Sequence, residues 1–557
     1  MFSAKRKNKK YHSDLSPDEI FIDARNLPSH DEQQFEGRIE QPINRQTFWG
    51  LTIFCLIIFL IFGTRIFYLQ VVNGFGYEER SRNNSLKFTP IFAERGNIYD
   101  RTGQELAWTN QARVYLTEEG LGHVLGYVSY PNEKEMATGK YDPKEYLGRG
   151  GAEKIQNDKL LGERGVRIVE VNAKGEQFSD HIVKKSVPGQ ELKLSIDHRV
   201  QAKFYEIIKQ LVADRGFSAG SGIIMDVQTG ELLTLVSYPD YDSNIISLGK
   251  DVETINRYFS DPQKIMLNRA VSGLYAPGSI FKPFVALGAL TEKTVDPNKT
   301  FVTNGELVIP NPYDQTKNTV FKDWKDNGIV DMRRAIAMSS NVYFYIISGG
   351  FGGQKGLGID KIGKYAKLFG LSRKTEIDLP AEAEGVIPSP NWKAENFAGE
   401  PWRLGDTYHT AIGQYGVLVT PIQMARAYTA IANKGKLIQP TIMAIEPKQA
   451  IIQASIPISD DNFKIIHEGM RRVVLEGTGQ GLNLTNVEIA AKTGTAELGV
   501  SKEKVNSWAV GFWPYQSPSF AFVVMMEKGA RSNLVGGVFA VRQLFDWMTI
   551  YTPEYLK

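Results

Sequence analysis

From Met1 to about position 46, polar residues of both charges follow one another with almost no apolar periodicity, behind a basic cluster of Lys5, Arg6, Lys7, Lys9 and Lys10. Such a segment has too little apolar surface to offset the entropy of ordering it, and it predicts a flexible tail over 1–46. The pattern then reverses. Thr47-Phe48-Trp49 leads into residues 51–64 with no charge before Arg65, and the apolar run goes on from Ile66 to Val72. About 20 apolar residues let a helix cross a bilayer, so a transmembrane helix is predicted over 47–72. Trp49 and Tyr68 suit the two interfaces, and Arg65 can snorkel to the nearer headgroups. A secretory signal has a shorter apolar stretch behind a short basic one, so the segment is expected to stay as an anchor. Lys and Arg are sparse on both flanks; the basic N-terminus favours a cytoplasmic tail, with the rest of the chain on the other side of the inner (cytoplasmic) membrane.

No second run long enough to span follows Gly74. Residues 73–190 carry short strand-like runs broken by Gly, such as Arg167-Ile168-Val169-Glu170-Val171, and predict a small, mostly β domain. Residues 191–557 predict one large α/β (α+β) unit. Leu192-Lys193-Leu194-Ser195-Ile196 alternates like a strand, and Val200, Phe204, Ile207, Ile208 and Leu211 recur at helix spacing. Residues 222–226 and 232–236 flank a Thr229-Gly230 turn, a hairpin signature; 505–513 and 519–526 read as two more strands. A sheet flanked by helices is expected.

Composition narrows the picture. An apolar share of 42% and a charged share of 23% are those of a folded chain. Lys+Arg 65 against Asp+Glu 62, a net charge of +3, gives no reason to invoke nucleic acid. Cys55, inside the anchor, is the one cysteine, so no intramolecular disulfide, CxxC pair or cysteine-based zinc site exists, and the outer part tolerates an oxidising compartment.

Four short words are candidates for chemistry. Gly216-Phe217-Ser218-Ala219-Gly220 has the spacing of a nucleophile elbow, but the elbow needs strand then helix and the order here is the reverse, so Ser218 is expected in a plain connection. In Tyr275-Ala276-Pro277-Gly278-Ser279-Ile280-Phe281-Lys282-Pro283, Ser279 and Lys282 share a helix face. A buried lysine can lose its proton near neutrality and activate a hydroxyl, and the helix start offers N–H groups to an oxyanion. Ser339-Ser340-Asn341, on a turn, places a hydroxyl for proton relay beside a carboxamide able to bind a substrate amide. Ala490-Ala491-Lys492-Thr493-Gly494-Thr495-Ala496 reads as a strand whose small glycine admits another backbone. An extended peptide can add alongside it, with Lys492, Thr493 and Thr495 facing a carboxylate. Each word alone has a plain structural reading: a helix cap, a polar turn, a strand with an exposed lysine. S-x-x-K spacing recurs at Ser247/Lys250 and Ser501/Lys504, in polar surroundings. S-x-x-K, S-x-N and K-T-G in this order within one α/β unit point together to an active serine.

With those words in hand, the chain resembles the class B penicillin-binding proteins, the monofunctional peptidoglycan D,D-transpeptidases. Arg95-Gly96-Asn97-Ile98-Tyr99-Asp100-Arg101-Thr102-Gly103 resembles the family's first pedestal motif. Tyr146-Leu147-Gly148-Arg149-Gly150-Gly151-Ala152-Glu153-Lys154 and residues 170–175 resemble later ones. Asp323-Trp324, Trp392-Lys393, Trp402, Gly405-Asp406-Thr407 and Ala411-Ile412-Gly413-Gln414 are similar to the elongation-type branch. Departures are a short connection between Asn110 and His123 where the family carries a head subdomain, and Tyr415 intruding in Gly413-Gln414-Tyr415-Gly416. Some elongation-type relatives hold zinc near the cleft through a cysteine and a histidine; residues 304–326 have neither, so no metal, and no other cofactor, is expected.

The resemblance implies the penicillin-binding fold on a pedestal and five catalytic residues, Ser279, Lys282, Ser339, Asn341 and Lys492, with Thr493, Gly494 and Thr495 binding substrate. The expected reaction is cross-linking of stem peptides ending in D-Ala-D-Ala during cell-wall elongation, through an acyl-serine that β-lactams also form. Between Val72 and Arg95 there is no room for a glycosyltransferase domain, so a polytopic membrane glycosyltransferase and elongation scaffold proteins are the expected partners. Two other readings stay open: a D,D-carboxypeptidase or β-lactamase-like hydrolase with the same motifs, and a membrane-anchored β-lactam sensor or scaffold.

Overall fold

The computed structural model describes residues 44–171, 176–311, 314–445, 449–533 and 535–557. Nearly all of the expected tail, and 172–175 of the last pedestal motif, lie outside them. The chain divides into two compact units: one runs through Lys87 and includes Val169–Ser179, the other comprises Phe88–Ile168 and Asp180–Lys557.

In the first unit, helix Arg45–Phe67 continues through a π-helical turn, Tyr68–Val72, and helix Gly74–Ser85 follows. Arg45–Val72 is long and apolar enough to cross a membrane, and none of it is buried in protein. Its cap and two of its threonine hydroxyls are satisfied within the helix. Asn44 Oδ1 accepts from Gln46 N, Thr52 Oγ1 donates to Phe48 O at 2.8 Å and Thr64 Oγ1 to Leu60 O at 2.7 Å, as a low-dielectric surrounding demands.

The second unit holds a small four-stranded sheet in the order Ala112–Tyr115, Glu105–Asn110, Ile98–Tyr99, Leu192–Lys193. The short connection expected after Asn110 is a reversal at Gln111 (φ 58°) that folds Ala112–Tyr115 back antiparallel onto its neighbour. The strand expected over 192–196 is only two residues long, and it pairs in parallel with Ile98–Tyr99 in this small sheet, not in the large one. Its alternation records burial correctly, since Leu192, Leu194 and Ile196 are all buried. The backbone, however, leaves one sheet to make a single bridge from Leu194 to Met443.

Two of the motif words meet around one carboxylate. Glu153, with no exposed surface, accepts from Arg95 Nε and Arg113 Nε at 2.6 Å each and from the Tyr115 hydroxyl at 3.3 Å. Arg95 also reaches Asn157 Oδ1 (3.1 Å), and Arg113 reaches Gly96 O (2.9 Å). One buried charge against two guanidinium forks makes the triad mutually dependent, since each member has lost its water. From the same first motif, Asp100 Oδ2 meets His198 Nδ1 at 2.6 Å, at the start of helix His198–Arg215.

The large sheet has five antiparallel strands in the order Leu232–Tyr238, Ala219–Asp226, Phe520–Ala530, Lys504–Trp513, Ala490–Leu498. Both faces are covered, so its strands are largely buried, and the period of two sorts their apolar side chains between two cores. Ile223 and Met225 join the core with helices Lys282–Thr291 and Pro421–Ala432; Ile224 joins the other with Phe204, Ile208 and Phe545. Ser218 lies in the helix-to-strand connection after Gly216, bonded to Glu527 O, as its reversed context predicts. Ala490–Leu498 is the last strand of the sheet, and among the described residues no strand pairs with its other edge.

Glu153→Gln should cost about 3–5 kcal/mol, because two buried guanidinium groups lose their counter-charge. Chemical denaturation of the purified chain in detergent measures it; a loss under about 1 kcal/mol would show the triad to be dispensable.

Candidate active site

Ser279 lies on a 3₁₀ turn, Gly278–Phe281, and the α-helix begins only at Lys282. This tightens the expected geometry, because in a 3₁₀ turn residues i and i+3 eclipse, and the Lys282 N–H donates to Ser279 O. The turn is fixed from several sides. Trp508 Nε1 donates to Ala276 O (3.0 Å), the Tyr428 hydroxyl to Ile280 O (2.7 Å), and Gly278 N to Gly413 O (2.9 Å). Tyr275 and Val419 form a bridge just ahead of it. Among the described residues the Ser279 hydroxyl has no hydrogen-bond partner.

Helix Lys282–Thr291 is buried from Lys282 to Leu290, which puts a lysine side chain of zero exposure at its head. Lys282 Nζ donates to Ser339 O at 2.6 Å and Asn341 Oδ1 at 2.8 Å, and lies 3.4 Å from Ser339 Oγ. Burial pushes the Lys282 amine down to about 7, against the opposing pull of the Asp323 charge.

Ser339 lies between helices Met332–Ala337 and Asn341–Gly349 with φ of 56°, in the left-handed region that a residue other than glycine rarely adopts. Ser340 caps the second helix through Tyr343 N. The strained turn aims the Ser339 hydroxyl at the second lysine: Lys492 Nζ is 2.9 Å from Ser339 Oγ and 2.9 Å from Thr493 O. Lys492 is also fully buried, and desolvation, then the nearby Lys282 charge, hold it well below the ordinary lysine range.

Lys492, Thr493, Gly494 and Thr495 lie on the sheet's last strand, Ala490–Leu498. Gly494 faces the serine turn so closely that a Cβ there would come within 2.9 Å of Pro277 O and of Ile280 Cγ2. From the other side, a Cβ on Gly278 (φ 57°) would come within 2.9 Å of Thr495 O. Two glycines thus let the strand and the turn touch backbone to backbone. Thr493 Oγ1 is held by Thr478 Oγ1 at 2.5 Å, and Thr495 is exposed.

The structure therefore brings Ser279, Lys282, Ser339, Asn341, Lys492, Thr493, Gly494 and Thr495 to one cleft. Three contributors carry no local signal of their own: Gly413, which supports the serine turn, Thr478, which orients Thr493, and Asp323, which takes bonds from Ser340 Oγ and Val342 N. Asp323 and Gly413 are noticeable in the sequence only through the Asp323-Trp324 and Ala411-Ile412-Gly413-Gln414 resemblances. Among the described residues, Asp100, Asp197 and His198 have ligand atoms close enough together for a metal. Their oxygens are already engaged: Asp100 by Thr102, Gln104 and His198, Asp197 by Arg199 and Tyr555.

Residues 220–540 match the family described as penicillin binding protein transpeptidase domain, and residues 108–194 match the penicillin-binding protein dimerisation domain. The chain is 27% identical to the peptidoglycan D,D-transpeptidase MrdA of Haemophilus influenzae, over 91% of this chain and 92% of that one. It is 30% identical to MrdA of Escherichia coli K12, over 78% and 70%. Among solved structures, it is similar to the penicillin-binding protein PBP2 of Helicobacter pylori in complex with MreC, with a TM-score of 0.71 at 25% identity over 84% of this chain and 99% of that one. A chain from a structure on coordination of polymerization and crosslinking by a peptidoglycan synthase complex also gives 0.71, at 27% identity over 91% and 98%.

Lys282→Met should change the slope of stability with pH. The folded pKa of Lys282 lies below its unfolded value, so the unfolded chain binds the extra proton and wild-type stability falls as pH drops from about 10 to about 7. The mutant lacks that dependence, and its stability relative to wild type should rise by on the order of a few kcal/mol across the same window. Denaturant titrations at pH 7, 8.5 and 10 read this; parallel curves would mean that Lys282 is protonated in the folded protein throughout.

Proposed function

The chain belongs to the penicillin-binding protein transpeptidases, and from that premise we propose how its cleft carries out acyl transfer. It is a serine-type peptidoglycan D,D-transpeptidase of the cell-wall elongation branch. The observation that carries the mechanism is the bonding of Lys282 Nζ. A neutral amine has two N–H bonds and one lone pair. Ser339 O and Asn341 Oδ1 take the two hydrogens, at 2.6 and 2.8 Å, and the lone pair is left for the hydroxyl on the eclipsed Ser279. Ser279 Oγ attacks the penultimate D-alanyl carbonyl as its proton passes to Lys282. The N–H groups of Ser279 and Thr495 receive the oxyanion at the place where turn and strand abut.

Ser339 Oγ, bridging the two amines, relays a proton to the departing D-alanine, with Lys492 behind it. Since Asn341 Oδ1 is occupied by Lys282, its Nδ2 is the end that meets a substrate carbonyl. The donor peptide lies along the edge of Ala490–Leu498 that pairs with no strand, its carboxylate against the side chains of Thr493, Thr495 and Lys492. The amine of a neighbouring stem peptide then attacks the acyl-enzyme, forms the new amide and frees Ser279. Protons move within a coupled group of two lysines and a serine, so the pH profile belongs to the cluster. A hydrolase with the same motifs would pass the acyl group to water instead.

For the whole chain we propose a cytoplasmic tail (1–46), a single span (47–72), a pedestal (73–190) and a transpeptidase unit (191–557) on the outer side of the cytoplasmic membrane. The uncovered apolar surface of Arg45–Val72 supports the span. A scaffold partner and a separate glycan polymerase are supported by the complexes formed by the similar proteins.

Ser279→Ala should abolish covalent labelling by fluorescent penicillin while leaving thermal unfolding within about 0.5 kcal/mol of wild type. With wild type, a stem-peptide donor and an added amine acceptor, the cross-linked amide should dominate; free acid alone would favour the hydrolase. Topology is read separately, by protease treatment of intact spheroplasts. Digestion of 74–557 with protection of the tail is expected, and Ile57→Arg with Ile58→Asp should weaken insertion, at about 2.5–3.5 kcal/mol per central charge.

A further inference from the structure

The turn that carries Ser339 and Asn341 is strained at Ser339 and must be held from outside. The segment 322–324, which follows strand Thr319–Lys322, holds it through three successive residues. The Trp324 indole N–H donates to Met338 O at 3.1 Å, and Lys322 O lies 3.5 Å from Asn341 Nδ2. Between them, Asp323 Oδ2 accepts from Ser340 Oγ at 2.8 Å, from Val342 N at 3.1 Å and from Asn327 Nδ2 at 3.2 Å, and Oδ1 accepts from Trp324 N at 2.8 Å. One carboxylate thus binds both residues that bracket Asn341. We propose that Asp323 is the positioning residue of this cleft: it ties the Ser339-Ser340-Asn341 turn to the 322–324 segment and so sets where Ser339 O and Asn341 Oδ1 meet Lys282.

The role follows from what each oxygen does. Oδ2 gathers three donors, so the turn relaxes if that atom is removed. The negative charge has a separate effect. The charge acting on the Lys282 amine is that of Asp323, from this segment, which favours the protonated amine and opposes the burial that disfavours it; Lys492, on the strand opposite, is itself lowered by the Lys282 charge. On its own segment Asp323 is flanked by exposed Lys322, Lys325 and Asp326, and Tyr345 packs nearby from the following helix. Shape and charge are separable by substitution. In Asp323→Asn the amide oxygen still accepts from Ser340, Val342 and Asn327, and only the bond from Trp324 N and the charge are lost. In Asp323→Ala both the tie and the charge go.

The proposal rests on Lys282 as base, and the test distinguishes failure of that reading from its own. Second-order rates of acylation by fluorescent penicillin are measured for the full-length protein in detergent from pH 5.5 to 9, with thermal unfolding as a check on folding. Wild type should show a limb rising with pH near 7, where Lys282 loses its proton. Asp323→Asn should move that limb toward acid by on the order of one unit, making it roughly fivefold faster than wild type at pH 6. Asp323→Ala should be slower at every pH above the limb, by roughly a hundredfold, as displaced groups miss their partners. Trp324→Phe, which removes a neighbouring tie and no charge, should keep the wild-type limb. A limb that stays in place in Asp323→Asn, or an Asp323→Ala protein as fast as wild type, overturns the assignment and leaves Lys282 as base. If wild type shows no such limb, the base reading falls. Loss of acylation in Asp323→Ala with retention in Asp323→Asn then still supports the tie, and equal rates overturn it.

Discussion

Desolvation of two lysines within reach of one hydroxyl is the constraint on which the rest of the cleft depends. An ammonium group out of water is held only if opposed charge or good acceptors replace the water. Here Lys282 and Lys492 are both fully buried, Ser339 Oγ lies between them, and Asp323 is the carboxylate whose charge acts on Lys282. Two full charges so placed would repel, so at least one amine sheds its proton near neutrality. A neutral amine beside an unbonded serine hydroxyl is what acyl transfer needs at the start. The energy that makes Lys282 a base is thus supplied by the apolar helix it heads, whose next eight residues are all buried.

The same constraint explains the investment in backbone anchoring. Amines with one lone pair are useful only if their hydrogens are taken by fixed acceptors. Those acceptors are a carbonyl and a carboxamide on a turn with a left-handed serine, which a flexible loop would not hold. The serine turn is held by an indole, a phenol and a glycine carbonyl, contributed from 508, 428 and 413. Each comes from a part of the chain distant in sequence, so the large two-cored unit brings these anchors together. Glu153 plays a comparable part in the smaller sheet, where one carboxylate makes two motif words mutually dependent.

Elements whose information is local were legible in the sequence. The Thr229-Gly230 hairpin, the strands near 505–513 and 519–526 and the reversed context of Ser218 all stand in the structure as read. The three motif words name residues that share the cleft. What could not be read is what depends on remote partners. The alternation of 192–196 gives burial but not the sheet it belongs to. The 3₁₀ start at Gly278 depends on Gly413, Tyr428 and Trp508. Asp323 and Thr478 contribute single oxygens from segments whose own sequence looks like ordinary loop and helix end.

The abutment of Gly494 against the serine turn bears on how such a cleft can change under selection. Its critical spacing is set by main chain against main chain, with the Ile280 side chain packed beside Gly494. Every replacement at 278 or 494 adds atoms to a contact that has no room for them, so small graded steps are closed at this place, for substrate and antibiotic alike. Gradual escape from a β-lactam has to be sought where side chains set the shape, as at the exposed Trp324, which bonds Met338 O beside the Ser339 turn. The centre of the cleft is rigid in evolutionary terms for the same steric reason that it is rigid in space, and variation is confined to its margin.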